Sequence, residues 1–357
     1  MAVHFYPLTV KSVERETPDC VTVTFDIPAH QRNVFRYKQG QNIAIKTIIN
    51  GEEVRRSYSI CKAPYEQTIC VGIKKISGGV FSTFANEVLK AGDILEVMPP
   101  TGSFYTELNK HQQQQYLAIA AGSGITPLIA IIKQTLFEEP NSSFTLVYSN
   151  RHKSSILFFE ELEAIKNQYL GRFQLIHLLS REKTDTPINH GRINAEKLQA
   201  LSKLINFQQI NAYFICGPEA MIFTVRDYLL QTGVAEKNIH FELFTSIGVA
   251  QTGSVENSEN ALSGKANITV HIDGRSLSFD LGSADASILD GALKQGADLP
   301  YACKGGMCCT CKAKLLEGKV KMDVHWGLDA DEIENGFILT CQAHPLTENV
   351  VVDFDVR

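Results

Sequence analysis

The sequence lacks long apolar runs, an excess of positive charge and a regular set of paired cysteines. Its 357 residues contain no apolar stretch of the roughly 18 residues that a membrane-spanning helix needs. Residues 1–10 do not join a basic segment to an apolar core, so we expect no secretory signal, no membrane association and a cytoplasmic location. The nine cysteines are an odd number, and a protein that stays in the cytoplasm rarely carries a disulfide framework.

The charge of the chain is unevenly distributed. The formal net charge is −5, and residues 265–357 hold nine Lys and Arg against fourteen Asp and Glu, so the whole excess lies there. An acidic segment argues against a nucleic-acid partner, because phosphates select for Lys and Arg. It suits docking to a basic protein surface, although solubility alone would explain it equally well.

Changes in hydrophobic pattern divide the chain into several domains. Residues 1–110 alternate like strands, with Asn50-Gly51 as a hairpin signal, and predict a small antiparallel β-barrel. Residues 112–248 alternate apolar strands with helical patterns, which is typical of a parallel α/β domain. Residues 249–264 are rich in Ser, Gly, Asn and Glu and predict a linker. Residues 265–357 form a third, compact α+β unit.

Helix starts are predicted where capping residues precede an apolar periodicity. In the second domain the starts lie near Thr126, Ser155, Asn194 and Pro218. In the third unit Ser287 is the predicted cap of a helix that runs to residue 295.

Four cysteines carry the strongest chemical signal. Cys303, Cys308 and Cys311 are separated by four and two residues, and Cys341 follows after 29 more. This is the plant-type [2Fe–2S] spacing, in which each iron takes two protein sulfurs. We expect the adjacent Gly305 and Gly306 to supply positive φ angles and exposed amides. A structural zinc site is the alternative, and Cys309 does not fit the spacing.

The chain resembles a known family over essentially its whole length. The segment from Leu299 to Cys311 resembles a plant-type ferredoxin domain, and the two segments before it resemble the ferredoxin–NADP reductase family. The resemblance implies an FAD-binding antiparallel β-barrel, an NAD(P)-binding α/β domain and a β-grasp ferredoxin domain.

The resemblance implies a flavin site made of two motifs. Arg56, Tyr58 and Ser59 match a motif whose arginine pairs with the pyrophosphate, whose tyrosine lies against the isoalloxazine ring and whose serine bonds the hydride-accepting N5. The glycine turn at 78–79 opens a helix, where a phosphate is readily bound. The matching positions that would hold the FAD pyrophosphate there are Val80, Ser82 and Thr83.

The resemblance also implies a nicotinamide site at three strand ends. The residues it assigns are Gly122, Gly124 and Thr126 after the first strand, Cys216 and Gly217 beside the nicotinamide, and Glu242 and Phe244 near the flavin edge. Ser149 and Arg151 match the NADP pattern of the family. The loop from Ser149 to Lys153 holds two cations and no carboxylate, which favours NADPH over NADH because a 2′-phosphate needs positive partners.

These parts predict an NAD(P)H-dependent reductase that uses FAD and a [2Fe–2S] cluster, with Ser59 and Cys216 nearest the hydride transfer. The segments 321–325 and 336–345 resemble reductase components of ring-epoxidising oxygenases of the phenylacetyl-CoA epoxidase type. The expected partner is therefore a multi-subunit di-iron epoxidase. Reductases of steroid hydroxylases, of Rieske oxygenases or of di-iron monooxygenases are the alternatives, as is a non-catalytic flavin and iron–sulfur carrier or sensor.

Overall fold

A computed structural model describes residues 4–244, 265–282 and 287–356. The predicted linker, residues 249–264, lies outside these ranges. Within them the strands form three large sheets and one two-stranded sheet. No helix in the described ranges combines the length and apolarity needed to cross a bilayer.

The first domain is an antiparallel barrel, as predicted. Its sheet has the order β4-β3-β6-β1-β2-β5, and a bridge between Ile60 and Val71 closes it. The Asn50-Gly51 turn has positive φ angles of 54° and 83°, which a two-residue hairpin requires. Because β4 is the terminal strand, its outer edge has no strand neighbour among the described residues until Ile60. The elements are β1 Tyr6–Thr17, β2 Cys20–Asp26, β3 Asn42–Ile49, β4 Glu52–Ser59, β5 Cys70–Lys74, α1 Val80–Glu87 and β6 Ile94–Val97.

The second domain is the predicted parallel α/β domain. Its five strands have the order β11-β10-β7-β8-β9, and all neighbours are parallel. The chain moves outward from β7 to β9 and then returns to β10 on the other side of β7. The switch point between β7 and β10 is where such sheets bind ligands. The elements are β7 Gln115–Ala121, α2 Ile125–Glu138, β8 Ser143–Asn150, α3 Phe159–Gln168, β9 Phe173–Leu179, α4 Ala195–Leu201, β10 Ala212–Gly217, α5 Glu219–Gln231 and β11 Ile239–Leu243.

Most of the helix starts predicted for this domain are correct. Asn194 caps α4 by accepting a bond from the Lys197 amide, and Pro218 precedes α5. The predicted start near Ser155 is wrong, because that residue ends a 3₁₀ turn and α3 begins only at Phe159. Phe158 has a left-handed φ of 58°, and its amide donates to the Glu16 carboxylate of the barrel at 2.7 Å.

The third domain is the predicted β-grasp unit. Its main sheet has the order β13-β12-β18-β14-β16, with β12 and β18 parallel and the other pairs antiparallel. Ser287 caps α6 as predicted, and the last strand ends at Asp353. The elements are β12 Lys265–Ile272, β13 Arg275–Gly282, α6 Ile288–Lys294, β14 Lys312–Glu317, β15 Val320–Met322, α7 Ala330–Glu334, β16 Phe337–Leu339, β17 Ala343–Pro345 and β18 Asn349–Asp353.

Candidate active site where three domains meet

Residues from the first two domains converge where the end of β4 faces the carboxyl ends of β10 and β11. The Ser59 hydroxyl donates to Oε2 of Glu242 at 2.8 Å, although 183 residues separate them. Cys216 lies beside Glu242, because the two are partners in the parallel β10–β11 register. All three residues are buried. The structure therefore brings together Ser59 and Cys216, which the sequence assigned to the hydride-transfer site.

Burial sets the protonation of this group. Removal from water raises the pKa of Glu242 to about 7; the bond from Ser59 lowers it, and the charge of Cys303 raises it further. Burial, reinforced by Glu242, also raises the pKa of the Cys216 thiol well above its ordinary value. Cys216 is therefore a neutral, small side chain at pH 7, while Glu242 is the group that can gain or lose a proton. The sequence placed Glu242 near the flavin edge but did not predict its bond to Ser59.

The two glycine turns of the nucleotide domain pack against each other at the switch point. A Cβ on Gly124 would lie 2.2 Å from the carbonyl oxygen of Cys216, and a Cβ on Gly217 would lie 3.1 Å from the Cβ of Ala121. Gly122 has a φ of 55°, and no atom of the described residues lies within 4 Å of the position that its Cβ would take. The backbone at Gly122 is thus open to a ligand, which fits a bound nucleotide. Thr126 is buried and its hydroxyl donates to the Ser123 carbonyl at 3.0 Å, so it holds the turn.

The end of β8 carries the residues predicted to select the nucleotide. Ser149 is buried there and Arg151 is exposed just beyond it. The amide of Arg181 donates to the Arg151 carbonyl at 3.0 Å, which brings a second arginine to this edge. A carboxylate also arrives from the loop after β9: Glu182 accepts a bond from the Lys153 amide at 2.7 Å. The 149–153 loop has no carboxylate of its own, but the carboxylate of Glu182 contacts it.

The predicted flavin residues lie on both faces of β4. Side chains alternate along a strand. Arg56 and Tyr58 therefore share one face of the sheet with their register partners on β3, Ile45 and Ile43, while Ser59 points to the other face. The Tyr58 ring packs on the Phe81 ring of α1 at 5.5 Å. A ligand can reach both faces if it lies along the outer edge of β4, which has no strand neighbour among the residues described, so the residue set fits an extended dinucleotide such as FAD.

The turn before α1 offers open backbone. Gly78 has a φ of 74°, and within the part of the chain that the structure describes no atom lies within 4 Å of where its Cβ would be. The Ser82 hydroxyl accepts a bond from the Ile76 amide at 3.1 Å and donates to the Gly79 carbonyl at 3.2 Å. Val80 is exposed and Thr83 half-buried in the first turn of the helix. The site fits a phosphate held by backbone amides, with Ser82 shaping the turn from within.

The four predicted ligand cysteines form two close pairs. Cys308 lies beside Cys303, and this contact lowers the pKa of Cys303 to about 6. The amides of Gly305 and Cys308 donate to the Cys303 sulfur at 3.3 and 3.5 Å and add to that effect. The contact between Cys311 and Cys341 raises the pKa of Cys311. Two pairs fit a binuclear cluster in which each iron takes two thiolates.

A single tetrahedral ion would instead need its donors gathered at one point. Within the described ranges no group of three or more His, Cys, Asp or Glu side chains is placed to hold one metal ion. The loop is shaped by left-handed residues at Lys304, Gly306 and Cys309, with φ of 50°, 73° and 54°. Gly306 is thus confirmed as a positive-φ position and Gly305 is not, although Gly305 does supply an amide to sulfur. Cys309 bonds the Gly327 carbonyl at 2.6 Å, away from the two pairs.

The cysteine loop packs against both other domains. Ala302 and Cys308 form a buried apolar cluster with Ala44 and Met98 of the barrel. The Thr101 hydroxyl donates to the Cys308 carbonyl at 3.1 Å. On the other side the Trp326 ring meets the Phe223 ring of α5 edge-on at 5.7 Å. The sequence had given Trp326 no role, and a lone tryptophan outside any motif carries no signal of such a contact.

Comparison with known proteins agrees with this arrangement. Family profiles match in the order of the three domains: an oxidoreductase FAD-binding domain at 7–105, an oxidoreductase NAD-binding domain at 118–227 and a 2Fe-2S iron-sulfur cluster binding domain at 270–346. The chain is 47% identical over 354 residues to one of the subunits of 1,2-phenylacetyl-CoA epoxidase from Escherichia coli, covering 99% of this chain and 98% of that one.

Two further relatives extend the likeness. The ferredoxin reductase component of 3-ketosteroid-9-alpha-monooxygenase from Rhodococcus rhodochrous is 33% identical, with 97% of this chain and 96% of that one covered. The solved structure of phthalate dioxygenase reductase, described as a modular structure for electron transfer from pyridine nucleotides to [2Fe-2S], matches with a TM-score of 0.59 at 23% identity. The match covers 98% of both chains and at this identity supports the fold alone.

Proposed function

Because the chain belongs to the family of FAD- and [2Fe–2S]-containing reductases that includes this subunit of 1,2-phenylacetyl-CoA epoxidase, we propose that it supplies electrons from NADPH to a phenylacetyl-CoA epoxidase. The chain is an NAD(P)H-dependent flavin and iron–sulfur oxidoreductase. When bound, FAD would supply the conversion of a two-electron hydride transfer into single-electron transfers, and a [2Fe–2S] cluster would supply one-electron transfer.

The meeting of Ser59, Cys216 and Glu242 is the observation that carries this proposal. It joins the flavin strand of the barrel to the nicotinamide end of the parallel sheet, and Cys303 is close enough to raise the pKa of Glu242. In our proposal Ser59 holds flavin N5, Cys216 leaves room for the nicotinamide, and Glu242 holds or releases a proton at Oε2. These three buried residues would then lie between the sites for all three cofactors, at a point from which water is excluded.

The remaining predicted residues hold the cofactors. Arg56, Tyr58 and the 78–83 turn, with Val80, Ser82 and Thr83, bind FAD. Gly122, Gly124, Thr126 and Gly217 form the nicotinamide cradle, and Phe244, 44% exposed at the end of β11, covers the flavin edge. Cys303 and Cys308 hold one iron, and Cys311 and Cys341 hold the other. This assignment follows the family motifs and the two cysteine pairs.

The proposed electron donor is NADPH. Arg151 and Arg181 adjoin at the edge where the adenosine ribose binds in such sheets, and Arg151 is exposed and without a protein partner for its guanidinium among the described residues. Arginine pairs with phosphate through two parallel bonds. NADH is the second candidate, and Glu182 favours it because a carboxylate at this edge bonds the free 2′-hydroxyl.

The proposed acceptor is the multi-subunit di-iron epoxidase, which the sequence resemblance and the Escherichia coli relative support. The acidic ferredoxin domain suits a basic docking surface on that partner. Relatives that serve 3-ketosteroid monooxygenase make another oxygenase the alternative. Purified epoxidase subunits with phenylacetyl-CoA should form product only when this chain and NADPH are added. Failure with those subunits, but activity with a steroid monooxygenase, would replace the partner.

Two cysteine variants test the electron path within the chain. Cys341→Ser removes a proposed ligand, so it should still pass electrons from NADPH to ferricyanide but lose cytochrome c reduction and the cluster absorbance. Cys309→Ser is the matched control, because Cys309 lies in the same loop outside the two pairs, and it should keep both activities. If Cys341→Ser loses the cluster absorbance and still reduces cytochrome c normally, the cluster does not lie on the path.

A further inference from the structure

Arg55 stands next to the flavin motif but faces another domain. On β4 it alternates with Arg56, and its side chain is only 7% exposed. Nη1 donates to the Leu299 carbonyl at 3.2 Å, and Nη2 lies 3.4 Å from Oδ1 of Asp298. Both acceptors belong to the ferredoxin domain, 243 or more residues away in sequence.

The buried part of this contact carries most of its strength. Asp298 is 87% exposed, and an ion pair in that position contributes little. The Leu299 carbonyl is buried, and the Arg55 guanidinium lies 4.3 Å from the centre of the Tyr301 ring, a cation–π contact. Within the barrel Glu53 accepts from Arg55 Nε at 2.7 Å and offsets the cost of burying the charge.

Among the described residues, few other polar contacts join the ferredoxin domain to the barrel. Thr101 bonds the Cys308 carbonyl, Ser103 bonds the Gly327 carbonyl at 3.4 Å, and His4 Nε2 lies 3.4 Å from Oδ1 of Asp273. Beside Arg55 the two domains are separated by a cleft of about 730 Å³ that Lys46, Arg55, Arg275 and Asp298 help to line. A domain interface with such a cleft depends on a small number of firm contacts.

We propose that Arg55 is a positioning residue that docks the ferredoxin domain against the flavin strand. It holds the segment 298–301, which leads directly into the cluster ligand Cys303, so one strand positions flavin through Arg56, Tyr58 and Ser59 and the cluster through Arg55. The inference rests on the proposed function only for the consequence that docking speeds electron transfer. The docking itself concerns contacts between residues of this chain.

The test compares Arg55→Ala and Arg55→Lys with Lys46→Ala in the full-length holoprotein. Lys46 is the matched control: it lies opposite Arg55 on the same face, pairs with Glu96 at 3.0 Å, and contacts the same Phe5 ring. Trp326, the single tryptophan, reports docking without activity, because losing Phe223 exposes it and shifts its emission to longer wavelength. Stopped-flow absorbance measures flavin bleaching by NADPH and cluster reduction separately.

We expect Arg55→Ala to shift the Trp326 emission and to slow cluster reduction about tenfold or more, with flavin bleaching unchanged. Arg55→Lys should lie between it and wild type, and Lys46→Ala should match wild type in every readout. Tyr301→Leu should also slow cluster reduction, and Tyr301→Phe should not. This second pair of variants tests the docking even if Arg55→Ala does not fold. Wild-type rates or an unshifted emission in both Arg55→Ala and Tyr301→Leu would overturn the docking role. If wild-type flavin is not bleached, the proposed function fails, while the Trp326 emission still decides the docking.

Discussion

Glu242 is the residue whose chemistry depends most on the assembled chain. Its neighbours Ser59, Cys216 and Cys303 come from three domains, and no local pattern in residues 239–243 indicates a buried carboxyl. A strand end predicts only that a side chain lies near the sheet edge. The raised pKa follows from burial, which the amino-acid sequence does not reveal without the fold.

The pKa of Glu242 gives a pH dependence of stability. The folded pKa of about 7 lies above the ordinary value of 4.5, so between these pH values the folded chain keeps a proton that the unfolded chain loses. Stability from this group is fully present below pH 4.5 and falls until about pH 7, by about 3 kcal/mol from the size of the shift. Glu242→Gln should lack this fall in stability. Its melting temperature relative to that of wild type, measured by scanning calorimetry, should therefore increase from pH 5 to 7.5. A constant difference would contradict the assignment.

Arg151 is expected to select the nucleotide. Arg151→Ala should raise the KM for NADPH by about tenfold to a hundredfold, the range for losing a hydrogen bond to a charged group, and leave the KM for NADH nearly unchanged. Initial rates of ferricyanide reduction measure both. Arg192→Ala removes another exposed arginine of the same domain and should change neither value. An equal rise for both nucleotides would show that Arg151 does not meet the 2′-phosphate.

At the scale of elements, the two glycine turns form one structure. Gly124→Ala should place a methyl group 2.2 Å from the Cys216 carbonyl oxygen, so the ends of β7 and β10 must separate. We expect the Kd for the nucleotide to rise about tenfold or more, because overpacking costs on the order of 1–3 kcal/mol. Titration calorimetry measures this Kd. In Gly282→Ala the added methyl group meets no atom of the described ranges within 4 Å, so this variant should bind the nucleotide as wild type does. Unchanged binding in Gly124→Ala would mean that the turns are not part of the site.

Elements with a local cause could be predicted, and those with a distant cause could not. Asn194 and Ser287 cap their helices by bonds to residues three positions on, so sequence alone located both starts. The start of α3 depends on Phe158, whose left-handed backbone is stabilised by Glu16 of another domain. A similar limit applies to Glu182, which reaches the 149–153 loop from the end of a neighbouring strand.

At the scale of the whole molecule, the order of the domains follows from the changes in hydrophobic pattern along the sequence, but the docking of the domains does not. Two adjacent arginines on a strand must face opposite ways, so the sequence alone indicates that Arg55 and Arg56 have different partners, yet the partner of Arg55, 244 residues on, could not be named. The contact of Trp326 with Phe223 likewise joins residues without any shared motif. Cysteine spacing, in contrast, identified all four members of the two pairs.

The central claim is that electrons pass from NADPH through one flavin to one [2Fe–2S] cluster within this chain. Anaerobic titration of the purified holoprotein with NADPH, followed by absorbance and low-temperature EPR, tests it most directly. We predict flavin bleaching together with a rhombic one-electron signal from the cluster, and the same end point at higher concentrations of NADH. Flavin bleaching with no cluster signal, or no bleaching with either nucleotide, would contradict the account.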